Sequence, residues 1–407
     1  MHWSDLPRTR RALIALCALS WAGWSGWELL RPARNPLMDL SGWYTDHFSH
    51  MNTARIFLRF GTAIWRTPPQ QMLPRPTPEV RARLPPDVFQ CADCLFVAPG
   101  WKKPVLLTWP NVVRPYPPGD MLLTAPIAAL YHFTDLSATD ANRLLLVLFL
   151  ALAHVAIFLV LDGLAFAPGG LRWHALLPGV LGSFALLHWT LEGFYDASFV
   201  VLLLLCWRWL GERRALAAIV AFCAASFLHF RAYYYAPWAL AAAALVVRER
   251  RWQAWHGRDW AALGAAVLLG GASLATFALV LPSLLSYKVY LSPLFVSRDH
   301  RIAPALFLGA LIAAVALAAF AAARSWIDAL MVPWLAMILT TVRVSEPWYV
   351  VATVPWLCAP PRAGLPERHP LVLDARVLVF LFLATAVHGD PRAGLDVIPT
   401  WLVRVFW

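Results

Sequence analysis

The run Asn142-Arg-Leu-Leu-Leu-Val-Leu-Phe-Leu-Ala-Leu-Ala-His-Val-Ala-Ile-Phe-Leu-Val-Leu-Asp-Gly-Leu164 decides the class of this chain. About 20 apolar residues at ~1.5 Å each span the hydrocarbon core of a bilayer. Only a helix satisfies its own backbone groups over such a length, so the run reads as a transmembrane helix. Similar runs recur on both sides of it, at 11–30, 174–190, 197–210, 215–230, 234–248, 259–282, 303–322, 325–342, 348–360 and 371–388. The expectation is an all-α polytopic membrane protein of about eleven transmembrane helices, within a range of 9–13. Residues 1–390 form one transmembrane domain and 391–407 a short C-terminal tail.

Composition points the same way. Of the 407 residues, 60% are hydrophobic and 14% charged, against roughly 45–50% and about 25% in soluble domains. The net charge of +11 is spread over short inter-helix turns. That is how topology uses Lys and Arg, and it excludes a nucleic-acid partner from the reading. Cys17, Cys206, Cys223 and Cys358 fall in apolar runs and read as small packing residues. Cys91 and Cys94 form a single CxxC, open to a disulfide on an oxidising face, to free thiols or to redox chemistry. No spacing of ligands argues for a metal or other cofactor.

The direction of the 142–164 helix sets the sidedness. The first helix follows Arg8, Arg10 and Arg11, which place its start in the cytoplasm and its end outside. The apolar piece 121–133 is too short to span comfortably, so it is expected to lie in the outer interface. The 142–164 helix then descends, and Arg172, Arg213, Arg214, Arg248, Arg250, Arg251, Arg258, Arg324, Arg362 and Arg368 all fall inside. Making 121–133 a span would turn every one of them outward, against the usual bias. Residues 31–141 therefore form one long extracytoplasmic loop. Its helical-looking piece 44–65 carries Phe48, Met51, Ile56, Leu58 and Phe60, a face suited to the membrane surface. Prolines at 68, 69, 74, 76, 78, 85 and 86 exclude regular helix after it.

This topology gathers the informative polar residues on the outer face. The loop supplies Asp39, then Asp46-His47-Phe-Ser-His50, and later Tyr116-Pro-Pro-Gly-Asp120. Later outer turns add Glu192-Gly-Phe-Tyr-Asp196, His229-Phe-Arg231-Ala-Tyr233, Lys288, Arg298-Asp-His300-Arg301 and Arg343-Val-Ser-Glu346-Pro-Trp348-Tyr349. Each group also has a plain reading. Arg231 and Lys288 would snorkel to headgroups, Glu192 and Asp196 would cap a helix, and His229 and His300 would be satisfied interface histidines. Against these, polar groups near a bilayer are costly and tend to be functional, and arginine pairs well with phosphate.

Four of these motifs resemble the bacterial polyprenol-phosphate-mannose-dependent mannosyltransferases, within the GT-C class of membrane glycosyltransferases. They are Asp46…His50 with Ala54 and Gly61, Tyr116-Pro-Pro, Arg231…Pro237 and Glu346-Pro-Trp-Tyr349…Pro355. His50 stands where that family carries Tyr, and Arg231 where relatives carry Lys. The resemblance implies transfer of a mannose-like hexose from a polyprenyl-phosphate donor to a hydroxyl of a lipid or glycan acceptor. The site would lie on the extracytoplasmic face of a multi-pass inner-membrane protein surrounded by membrane lipids, with no metal or cofactor. It implies Asp46 as catalytic base, with His47 or His50 orienting it. Arg231, Lys288, Arg298 and Arg301 would hold the leaving phosphate, and Tyr116, Tyr233 and Trp348 would line the sugar or lipid groove. Asp39, Asp120, Glu192, Asp196, His300, Arg343, Glu346 and Tyr349 complete the expected substrate-binding set. The alternatives are a lipid or anion transporter or flippase, and an inactive scaffold of envelope glycan assembly.

Overall fold

Helix α6 (Ala138–Ala165) is the axis of the structure, a computed structural model that describes residues 6–31, 46–83, 95–98, 100–107, 116–166, 173–286, 351 and 354–359. Ser137 starts α6 as N-cap, its hydroxyl accepting the Asp140 amide hydrogen bond at 3.0 Å, as an orphan first-turn N–H requires. Half of its apolar window is buried. Helix α1 (Arg8–Leu30) runs antiparallel along it, and polar ties pair the two from end to end. Arg10 meets Asp162 at 2.5 Å, Ser20 meets His154 at 3.0 Å and Trp21 donates to the Val147 carbonyl at 3.2 Å. At the far end Arg143 donates to the Arg31 carbonyl. Arg208 also approaches Asp162, at 3.6 Å, so one fully buried carboxylate binds three helices. Such ties matter because lipid tails are as apolar as leucine, which leaves packing and polar bonds to hold the helices together.

Around α6 stand α7 (Trp173–Leu191), α8 (Ala197–Gly211), α9 (Ala215–Leu228), α10 (Ala236–Arg248) and α11 (Gly257–Ser286). α6 packs on α7 and α8, α8 on α9, and α9 on α10 and α11. Among the described residues three helices are long and apolar enough to cross a membrane, α1, α6 and the 257–281 part of α11, and they mark the chain as a membrane protein. Stretches of α7, α8 and α9 are apolar but shorter. Leu16, Leu19 and Trp27 on α1 and Val267, Leu268 and Leu274 on α11 stay exposed, as lipid-facing side chains should. The expected packing cysteines are free, three of the four being buried, and the Cys358 thiol donates to the Pro178 carbonyl at 3.2 Å. Cys91, Cys94 and the expected spans at 303–322, 325–342 and 371–388 lie outside the described residues.

The described residues between α1 and α6 fold into a second core. Helix α2 (Asp46–Phe60) passes into a 3-10 turn at Gly61, whose φ of +55° suits glycine. Short helices α3 (Pro69–Met72) and α4 (Pro78–Ala82) each begin on proline, where its missing N–H costs nothing. A two-stranded antiparallel ladder, β1 (Leu95–Phe96) on β2 (Val105–Leu106), interrupts the all-helical expectation. Helix α5 (Gly119–Phe133) packs on α2.

The membrane-surface reading of α2 is corrected here. Phe48, Met51 and Ile56 are fully buried among α5, the ladder and the start of α6, and Leu58 alone of the apolar set is strongly exposed. Polar residues are buried with them because each finds a local partner. Asn52 and Thr53 donate back to carbonyls one turn earlier. Arg55 donates to the Lys103 and Pro104 carbonyls at 3.0 and 2.7 Å, and Trp101 and Tyr131 stack against it.

Candidate functional site

Four separate segments deliver polar side chains to one buried place, at the end of the bundle where α6 begins. His50 comes from the second turn of α2 and meets the Asp120 carboxylate through its Nδ1. Asp120 lies in the first turn of α5, where the helix dipole favours an acid. His50 is 4% exposed and Asp120 0%. Seventy residues separate the two, so the pair is created by the α2–α5 packing alone.

The seating of α5 on α9 depends on glycine. A Cβ at Gly119 would stand 2.5 Å from the Phe227 carbonyl oxygen, so α5 reaches α9 only because residue 119 has none. Tyr116, just before α5, is fixed by its own carbonyl, which accepts the Trp65 indole N–H at 2.9 Å.

The α7–α8 turn supplies Tyr195 and Asp196, and the α9–α10 turn supplies His229 and Arg231. The Arg231 guanidinium donates to Asp196 Oδ1 at 2.8 Å, and the Arg231 amide donates to His229 Nδ1 at 2.9 Å. That bond makes Nδ1 the acceptor, which puts the proton of a neutral His229 on Nε2, 3.8 Å from Asp196. The rings close the cluster. His50 lies 3.9 Å from Tyr195 and 4.7 Å from Tyr116 between centroids, while His229 stacks on Tyr195 at 5.5 Å.

Burial sets the electrostatics. Desolvation pushes the Asp196 carboxyl up, and the Arg231 charge and hydrogen bond oppose it. Tyr195 is pushed well above its ordinary range, first by burial and then by Tyr116, Asp120 and Asp196, against Arg231. Its phenol therefore stays protonated, a hydrogen-bond donor that finds no partner among the described residues. Such a group is costly to bury unless something else accepts from it.

Several plain readings are corrected by this geometry. Arg231 is 8% exposed and bound to an acid, so it does not snorkel. Asp196 stands at the N-cap of α8 yet makes no capping bond, its carboxylate being turned to Arg231. Tyr233 donates to Ser273 of α11 at 2.9 Å, beside Phe230. Glu192 sits half-buried in the α7–α8 turn, its amide closing the last turn of α7. His50, Tyr116, Asp120, Asp196 and Arg231 are brought together. Asp46 opens α2 one turn before His50, but its side chain and that of His47 lie outside the described residues, as do Asp39, Lys288, Arg298, His300, Arg301, Arg343, Glu346, Trp348 and Tyr349.

Sequence reasoning passed over Tyr195, which reads as one more interfacial aromatic inside Glu192-Gly-Phe-Tyr-Asp196. It also set aside His229 as a satisfied histidine, and in part that holds, since its Nδ1 is engaged. Among the described residues no group of His, Cys, Asp and Glu is arranged to hold a metal. No family model matches the sequence, and no curated protein or solved structure is similar to it. The fold and the cluster define a helical membrane protein with a buried, acid- and histidine-bearing site at one end of its bundle.

Proposed function

We propose that the chain is a multi-pass membrane glycosyltransferase of the extracytoplasmic face. It would move a mannose-like hexose from a polyprenyl-phosphate donor to an acceptor hydroxyl on a lipid or glycan. The observation that carries this reading is the convergence of His50, Tyr116, Asp120, Tyr195, Asp196, His229 and Arg231 from four segments into one buried cluster. A protein under no chemical demand has little reason to bury so many polar groups beside a bilayer.

The reaction asks for little beyond positioning. The acceptor oxygen bonds to the anomeric carbon as the bond to the lipid phosphate breaks, with inversion. The acceptor proton passes to a carboxylate, and the phosphate leaves with the electron pair. Asp46 is the proposed base, one turn before His50 and so on the same helix side. The His50–Asp120 pair stiffens that side of α2, because any rotation of the helix would separate a buried pair. The protonated Tyr195 phenol is suited to donate to an oxygen that gains charge, either of the sugar or of the phosphate. Arg231 supplies positive charge toward the leaving phosphate, held in place by Asp196.

The test is transfer from a labelled polyprenyl-phosphate hexose by membranes carrying Asp46→Asn or Asp46→Ala. A loss of at least a hundredfold is expected for removal of a general base. Activity near wild type in either variant removes Asp46 from that role.

A further inference from the structure

The opposite end of the bundle holds a cavity of about 410 Å³ that plays no part in the reaction above. It lies where the α8–α9 turn meets the α10–α11 turn. Trp209 and Arg214 line it from the first side, and Arg251 and Trp255 from the second. Its floor is apolar, made by Leu216 and Val220 of α9 with Val246 and Ala262 beneath the turns. Val220 is five residues into α9, so the floor lies about 7.5 Å below the helix start. A cationic lip above an apolar floor at that depth has the profile of a phospholipid, phosphate above and acyl chain below.

Separate features ask for an anion at the lip. The first turn of α9 lines the cavity, no side chain caps it, and it contains no acid, so its amides and the positive end of its dipole are available. Among the described residues the Arg214 guanidinium makes only long contacts, 3.8 Å to Glu212 and 5.6 Å over the Trp209 ring, and its side chain is 61% exposed. Arg251 is held in position by Glu249 and by the Arg213 carbonyl, which fixes its guanidinium at the mouth. Asp259 also lines the cavity, but its carboxylate accepts the His256 amide at 3.0 Å and so caps α11. The two turns themselves carry four arginines, Arg213, Arg214, Arg250 and Arg251, against two acids, Glu212 and Glu249. Two of them, Arg213 and Arg250, occupy positive-φ positions, 57° and 46°, where glycine is the usual choice.

We propose that this cavity binds an anionic phospholipid of the leaflet at that end. Its phosphate would sit between Arg214, Arg251 and the first-turn amides of α9, with acyl chain over Val220 and Val246. The proposal needs only the membrane character of the chain and is independent of glycosyl transfer.

The experiment is native mass spectrometry of the full-length protein in detergent, titrated with phosphatidylglycerol and, separately, phosphatidylcholine. Phosphatidylglycerol should bind at least tenfold more tightly. The double variant Arg214→Gln/Arg251→Gln should lose roughly tenfold or more of that affinity, since each charge-assisted contact is worth about that factor. Arg248→Gln, at a residue outside the lining, should not. Val220→Trp fills the floor while keeping every charge, and it should abolish binding even if the double variant fails to fold. Equal binding of the two lipids, or an undiminished preference in Val220→Trp, overturns the proposal. Displacement of phosphatidylglycerol by millimolar inorganic phosphate also overturns it, marking a free-phosphate site.

Discussion

Breaking the Asp196–Arg231 pair should be costly from one side and cheaper from the other. The partners are 3% and 8% exposed and 2.8 Å apart. Two unit charges near 4 Å attract by about 4 kcal/mol at an effective dielectric near 20, and desolvating each ion costs several kcal/mol. The intact pair therefore adds little net stability, whereas removing one partner costs about 3–5 kcal/mol because a buried charge is left alone. Asp196→Ala strands a guanidinium that cannot shed its proton. Arg231→Met strands a carboxyl already pushed up by burial, which can take one.

The sign follows from linkage. A folded-state pKa above the unfolded value means the native state holds the proton longer. Stability is then greater in acid and falls as pH rises through the folded pKa. Arg231→Met, which also removes the charge that opposes the upward shift, should regain part of its loss as pH is lowered. Asp196→Ala should not. Unfolding in mixed micelles titrated with dodecyl sulfate, followed by tryptophan fluorescence, measures both. The double variant should cost at least about 2 kcal/mol less than the two singles together. Additivity within about 0.5 kcal/mol would refute the coupling, and so would a harmless Asp196→Ala.

Other consequences can be measured alongside. Gly119→Ala places a methyl against the Phe227 carbonyl, so α5 should shift with Asp120; transfer activity should fall at least tenfold while Gly23→Ala, with open space around its Cβ, stays near wild type. Burial holds the Arg55 guanidinium down at about 10, and only its fork reaches both the Lys103 and Pro104 carbonyls. Arg55→Lys should therefore cost about 2–4 kcal/mol and speed tryptic cleavage at Lys102. Asp162→Asn leaves Arg10 and Arg208 without their shared carboxylate; the variant should unfold at lower dodecyl sulfate, and an unchanged midpoint would deny the three-helix tie.

How far the fold could be read in advance depended on the range of each interaction. Length and hydropathy located α1, α6, α8 and α11 to within a few residues, because a bilayer fixes both quantities. The short 121–133 piece, too short to span comfortably, forms the 15-residue helix α5, separate from the longer α6 after it. The surface reading of α2 failed for a long-range reason. Its apolar stripe fits a lipid surface as well as a protein core, and only the arrival of α5 and the β1–β2 ladder decides between them. The site was legible as a set of segments but not as pairs. His50 with Asp120 and Asp196 with Arg231 lie 70 and 35 residues apart, and no spacing rule links them. Tyr195 carried no signal at all until its phenol was seen buried between two histidines.

The central claim is that the cluster of His50, Tyr116, Tyr195 and Arg231 receives a polyprenyl-phosphate sugar. It is tested most directly by photolabelling the full-length protein with a diazirine-bearing polyprenyl-phosphate hexose and mapping the labelled peptides. The account predicts label on α2, on the start of α5 and on the 192–196 and 229–235 turns, displaced by unmodified donor and reduced in Tyr195→Phe. Saturable label confined to other segments, or label that unmodified donor does not displace, would contradict it.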